Sequence, residues 1–196
     1  MKKILILDAC IRREDSRTKL LMERAVSILK EEHPGWEMER LSLQDLELSF
    51  LDQKSLRDRD QLLEEKAFNH PRFRYARQFQ EADGIIVAAP FWDLSFPAVL
   101  KIYIENVSVD GLTFFCDAEG LHGKCRAEWM LHLVTRGGIW KEDMCQDSRY
   151  LEAMCGFFGI KKYHCISADG IDIVGLDREK IMKDAMDEVT DFCSRM

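Results

Sequence analysis

The sequence predicts an α/β fold in which a five-stranded parallel sheet carries helices on both faces. Three observations carry that expectation. Strand-like apolar runs and amphipathic helical patterns alternate five times along the 196 residues, as in βαβ units whose crossovers lay helices over a parallel sheet. The first run, Lys2 to Asp8, is apolar almost throughout, as expected of a strand covered on both faces. The stretch Ala88 to Val107 (AAPFWDLSFPAVLKIYIENV) follows a second such run, Gly84 to Val87. It passes through a loop with Pro90, Phe91 and Trp92 into a helix entered at Ser95 and Pro97. Proline suits a first helical turn because its missing N–H has no partner there. Loops at the carboxyl ends of such strands are where a planar ligand sits.

Taken in order, Ala9 to Asp15 is a polar loop and Ser16 opens a helix whose face is Leu21, Ala25, Ile28 and Leu29. His33-Pro34-Gly35 ends it, and Trp36, Met38 and Leu41 mark a second strand. Residues 43 to 83 are highly charged, helical from about Asp58 and interrupted at Pro71. After the third strand, Ala98 to Val107 is apolar nearly all round, through Val99, Leu100, Ile102, Tyr103, Ile104 and Val107. A helix lying on one sheet face needs a single apolar stripe, so this one is expected to pack on a partner subunit as well. Gly111, Gly120 and Gly123 punctuate an excursion over residues 108 to 126. Trp129 to Val134 is the fourth strand, followed by Thr135-Arg136-Gly137-Gly138, a helix from Ser148 to Phe158 and a fifth strand from Tyr163 to Ser167. The last helix repeats Ile181, Met182, Ala185, Met186, Val189, Phe192 and Cys193 at helical spacing, with Asp177 as cap and Leu176 and Ile181 as staple. One domain, residues 1–196, is expected.

Composition narrows the function classes. With 46% hydrophobic and 32% charged residues the chain has a globular balance, and its net charge of −7 argues against nucleic-acid or anionic-membrane partners. No apolar stretch approaches the roughly 20 residues of a membrane span. Ile4 to Leu7 after Met-Lys-Lys mimics a signal peptide, but Asp8 and Arg12-Arg13 break it, so no export segment is expected. Seven cysteines without a C-x-x-C pair then suit a reducing, cytoplasmic setting. Cys116, His122 and Cys125, with His132 or Cys145, come nearest to a metal set but match no common zinc spacing. No metal is expected, and small buried thiols are the plainer reading.

Three segments make the chain resemble the flavodoxin-like FMN-dependent NADH-azoreductases and NAD(P)H–quinone dehydrogenases. They are Leu7 to Leu20, Pro90-Phe91-Trp92-Asp93-Leu94 through Ile104, and Thr135-Arg136-Gly137-Gly138-Ile139. The resemblance implies a flavodoxin-like three-layer sandwich with strand order 2-1-3-4-5, an FMN cofactor, NADH or NADPH as donor, a small-molecule quinone or azo acceptor, and a homodimer through helix 97–107. It implies that Ser16, Arg17 and Thr18 cradle the FMN phosphate, that Phe91, Trp92, Asp93 and Leu94 line the isoalloxazine ring, that Gly137 and Gly138 let backbone approach its pyrimidine end, and that Pro90, Thr135 and Arg136 also belong to the cofactor site.

Each of these has a structural alternative. Ser16 suits an N-cap as well as a phosphate seat; the two aromatics suit a surface plug, the glycines a tight turn, and Trp140 packing as well as donation to the flavin. By similarity of position Cys116, His122 and Phe157 shape the acceptor pocket, and His122 is a candidate proton donor. Ala9 and Cys10 stand where relatives commonly carry serines, which leaves Cys10 as a cofactor-loop residue without a hydroxyl, with Arg12, Arg13 or Arg17 to compensate by charge. Asp93 replaces a common Asn. At about 5 Å from the flavin and an effective dielectric of 20 its charge would disfavour an anionic reduced flavin by roughly 3 kcal/mol, about 70 mV. Rival readings are a flavodoxin-like electron carrier, a fold that has lost flavin binding, and a phospho-acceptor domain using Asp8.

Overall fold

The computed structural model describes residues 1–196. In chain order its elements are β1 (Lys3–Asp8), α1 (Arg17–Glu32), β2 (Glu37–Ser42), α2 (Gln53–Glu64), α3 (Arg74–Glu81), β3 (Gly84–Ala88), α4 (Ala98–Val107), β4 (Phe114–Asp117), β5 (Gly120–Gly123), β6 (Trp129–Arg136), α5 (Gln146–Phe158), β7 (Lys162–Asp169) and α6 (Arg178–Cys193). The main sheet is parallel and ordered β2-β1-β3-β6-β7, the expected 2-1-3-4-5. Successive side chains of a strand leave by opposite faces, so one strand feeds two cores. Leu5 and Leu7 of β1 join Phe79, Leu100, Tyr103 and Phe158 beneath α3, α4 and α5. Ile4 and Ile6 join Leu21, Leu29, Val189 and Cys193 beneath α1 and α6. This double burial is why the strand reads as continuously apolar.

Several boundaries differ from the sequence reading, each for a local reason. α2 begins at Gln53 rather than near Asp58, because Asp52 and Ser55 form a reciprocal capping box in which each side chain accepts from the other residue's N–H. Pro71 opens a 3-10 turn, Pro71–Phe73, that leads directly into α3. Pro97 is the N-cap of α4 rather than its first residue. β6 continues two residues past Val134, since Thr135 and Arg136 pair with Ala168 and Asp169 of β7. α5 starts at Gln146, two residues before Ser148. The excursion after α4 contains a two-stranded antiparallel hairpin, β4–β5. Asp177 caps α6 as expected, its carboxylate accepting from the Lys180 N–H at 3.0 Å.

Candidate functional site

The site is built at the carboxyl ends of β1, β3 and β6, where the β1–α1, β3–α4, β6–α5 and β7–α6 loops converge. They enclose a cleft of about 140 Å³ lined by Arg12, Ser16, Arg17, Phe91, Gly137 and Asp172 among others. Its floor at one end is the start of α1. The N–H groups of Arg17, Thr18 and Lys19 make no hydrogen bond within the chain. Free helix-start donors with the positive end of the dipole behind them attract an anion.

The side chains around those donors correct the sequence reading. Ser16 is the N-cap residue by position, but its hydroxyl makes no capping bond. Thr18 is fully buried and its Oγ1 lies 2.7 Å from Thr135 Oγ1, so its hydroxyl ties α1 to β6 and only its N–H remains for a ligand. Cys10 is not a cleft residue. Its N–H donates to Asp8 Oδ1, its thiol points at the Ala88 carbonyl oxygen 3.7 Å away, and burial pushes that thiol up to about 12. Cys10 is therefore an inert core thiol. Asp8 itself is held by Arg40 at 2.5 Å, which leaves it unsuited to the phospho-acceptor role.

The aromatic loop is a tight reverse turn. Trp92 and Ser95 exchange both backbone hydrogen bonds, at 3.0 and 2.8 Å, around Asp93 (φ 51°) and Leu94 (φ 66°). Two consecutive residues in the left-handed region make a type I′ turn, which favours Asn and Gly. That geometry explains why a short polar residue occupies position 93, and leucine at 94 holds strain of about 1–2 kcal/mol. The turn is pinned below by the Phe91 N–H on the Thr135 carbonyl (3.2 Å) and the Gln146 N–H on the Leu94 carbonyl (3.1 Å). Asp93 is solvent-exposed, so water screens its charge and the sequence-based figure of about 3 kcal/mol is an upper bound.

Arg136 is a second correction. It is 4% exposed and turned away from the cleft mouth, with Nη2 on Asp147 (2.9 Å) and Ser148 (2.8 Å) and Nη1 on Asp169 (3.1 Å). Its guanidinium lies 5.3 Å from the Phe91 ring centroid. Burial raises the Asp147 carboxyl while the adjacent Arg136 charge pulls it down. Arg136 thus joins the ends of β6 and β7 to the start of α5 and supports Phe91 from below.

Gly137 lines the cleft, and a Cβ there would come within 2.9 Å of the exposed Asp172 carboxylate, so a larger residue at 137 would displace that side chain. Gly138 accepts from the Gly170 N–H and turns the chain toward Trp140, whose ring is 5.7 Å from that of Phe91. Trp92 and Trp140 are both exposed at 39%, flanking the cleft. Asp15, Ile171 and Asp172 also line it and escaped the sequence reading. The last two follow β7, and the only signal pointing to them was that every loop at this sheet edge faces the cleft.

A family model described as flavodoxin-like fold matches residues 2–192. Over the whole of both chains the sequence is 35% identical to an FMN-dependent NADH:quinone oxidoreductase of Caldicellulosiruptor saccharolyticus. It is 36% identical, over 96% of each chain, to one of Clostridium beijerinckii. Among solved structures it is similar to an azoreductase from Bacillus anthracis, with a TM-score of 0.89 and 26% identity over 100% of both chains. The chain belongs to the flavodoxin-like family of FMN-dependent NADH:quinone oxidoreductases. The residues present suit such a cofactor: free helix-start donors and Arg12 and Arg17 for a phosphate, a pinned aromatic loop for a planar ring, and open backbone at Gly137.

The acceptor-side residues expected for this family do not reach the cleft of their own chain. Cys116 and His122 stand on the β4–β5 hairpin, whose end is fastened to the C-terminus of α5 by the Cys125 N–H on the Phe158 carbonyl. That is the amino edge of the sheet, opposite the cleft. Cys116 is exposed. His122 stacks on Phe115 with Nε2 2.9 Å from Asp117 Oδ1. Phe157 packs on Phe114 at 4.4 Å.

Proposed function

We propose that this chain is an FMN-dependent NAD(P)H oxidoreductase that passes two electrons from a nicotinamide to a quinone, azo compound or similar small acceptor. The observation that carries this reading is the conjunction, in one cleft, of unpartnered N–H groups at the start of α1 with the pinned Phe91–Leu94 turn and Gly137. Bound FMN supplies the redox chemistry, accepting and returning a hydride at its N5.

The chain's own groups bind and orient. The Arg17, Thr18 and Lys19 N–H groups, Ser16 and Arg12 receive the phosphate; Pro90, Phe91, Trp92, Asp93 and Leu94 flank the ring; Gly137 and Gly138 present backbone to its pyrimidine end, and Trp140 closes the side.

The acceptor pocket is completed by a second copy of the chain. α4 starts directly after the ring-flanking turn and, over about 15 Å for its ten residues, runs to the base of the β4–β5 hairpin. Antiparallel packing of two α4 helices through half-buried Val99 and Ile102 sets each hairpin beside the other copy's turn. Cys116, His122 and Phe157 then line the acceptor pocket in trans. This one-domain enzyme works in the cytoplasm, in keeping with its free cysteines and net charge.

The test is a visible spectrum of the purified protein after FMN loading and desalting, followed by anaerobic NADH or NADPH. A retained flavin band that bleaches rapidly is the expected result, and the nucleotide that bleaches it is the donor. Retention without bleaching by either nucleotide favours the electron carrier; loss of the band on desalting overturns the reading.

A further inference from the structure

Asp172 stands at the mouth of the cleft, three residues beyond the end of β7. Its N–H donates to the Gly137 carbonyl and its Oδ1 accepts from Arg17 Nη1 at 2.8 Å. Arg178 approaches the same oxygen at 3.6 Å, while the Arg178 Nε donates to the Ile171 carbonyl and holds the loop in place. Arg17 is the first residue of α1. The cation nearest the free helix-start donors is therefore already engaged by a carboxylate. Moreover, that carboxylate has a second arginine within reach, so releasing Arg17 does not leave Asp172 alone.

We infer that Asp172 is an internal competitor for Arg17 that holds FMN affinity below what the cleft's donors would otherwise reach. The inference rests on the FMN reading above and assigns the phosphate seat its limiting residue. A phosphate dianion at the start of α1 takes Arg17 from Asp172, and Asp172 shifts onto Arg178. The exchange matters only for a ligand that carries a phosphate, because a neutral flavin gives Arg17 no reason to leave. Both partners are partly exposed, at 36% for Arg17 and 57% for Asp172, so the pair is a surface-strength one. Its removal strengthens FMN binding by about fivefold, the equivalent of about 1 kcal/mol.

The experiment is an equilibrium titration of FMN and of riboflavin, followed by flavin fluorescence, on the parent chain and on Asp172→Asn, Arg17→Met and the double variant. Melting temperatures confirm that each is folded. Asp172→Asn is expected to tighten FMN about fivefold and to leave riboflavin unchanged. Arg17→Met is expected to weaken FMN, and in its background Asp172→Asn has no further effect. An Asp172→Asn chain with the parent's FMN affinity overturns the inference while leaving the FMN reading intact. So does equal tightening of riboflavin, which makes Asp172 a steric gate over Gly137, or a gain that persists without Arg17. If neither parent nor variant binds FMN, the functional reading and the inference fall together.

Discussion

The hydroxyls of Thr18 and Thr135 meet at 2.7 Å directly beneath the cleft, joining the first turn of α1 to the last residues of β6. Both residues are buried, so each hydroxyl depends on the other. This bond fixes where the free N–H groups of α1 lie relative to Phe91, whose own N–H donates to the Thr135 carbonyl.

Replacing Thr18 with Val strands the Thr135 hydroxyl, and an unpaired buried polar group costs about 1–3 kcal/mol. Urea denaturation of Thr18→Val is expected to show that loss. Thr18→Ser is expected to retain the bond and most of the stability.

Arg136 is a buried cation that faces Asp147, itself at zero exposure, and Asp169. Arg136→Met leaves Asp147 uncompensated and is expected to destabilise the fold by about 3–5 kcal/mol. Adding Asp147→Asn should recover a substantial part of that loss. Equal stabilities of the single and double variants would show that the pair is not the cause.

Strain at the ring-flanking turn predicts an effect confined to the cleft. A β-branched residue is poorly tolerated at φ 66°, so Leu94→Val is expected to cost about 1–2 kcal/mol and to weaken FMN binding. Asp93→Asn keeps the turn and removes an exposed charge. It is expected to raise the flavin reduction potential by less than the roughly 70 mV of an unscreened site. A shift of that full size would mean Asp93 is desolvated when the flavin binds.

His132 gives the fold an acid limit. It is fully buried beside Tyr163, whose hydroxyl lies 2.9 Å from its Nδ1, and burial together with the Arg136 charge lowers its pKa to about 3. An unfolded histidine protonates below about 6.5 while this one stays neutral, so the unfolded state binds more protons. Stability therefore falls as pH drops from about 6.5 toward 3, by up to about 1.4 kcal/mol per pH unit. The urea midpoint of His132→Gln is expected to depend less on pH across that range; parallel pH profiles would assign the acid sensitivity elsewhere.

The proposed assembly is tested by a charge on α4. Ile102→Glu is expected to yield a monomer by sedimentation that keeps its melting cooperativity and much of its FMN affinity but loses acceptor reduction. Retained turnover in a monomer would place the acceptor pocket within one chain.

The sheet and its helices were legible because their signals are local. Continuous apolar strands, the Asp177 cap and the period of α6 each depend on residues within a few positions of one another. The cleft was legible as a set of loops: Ser16, Phe91 and Gly137 were all expected at it and all line it. Individual side chains were less so. Thr18 and Ser16 are equivalent hydroxyls at a helix start in the sequence, yet one is spent on Thr135 and the other is not, because only the crossing of α1 over β6 distinguishes them. Arg136 reads as a cleft cation beside two glycines, but the last two residues of β6 pair with β7 and carry its guanidinium beneath the loop. Asp172 lies 155 residues from the arginine it engages, beyond any spacing rule.

By itself, then, the sequence determined the layers, the order of the elements and the edge of the sheet where the cleft opens, since burial periodicity and turn chemistry are written in neighbouring residues. Tertiary structure alone decided which hydroxyl, which arginine and which carboxylate face the cleft. Those choices depend on contacts between strands and helices far apart in the chain, and the same residue type serves either the core or the site according to which neighbour reaches it first.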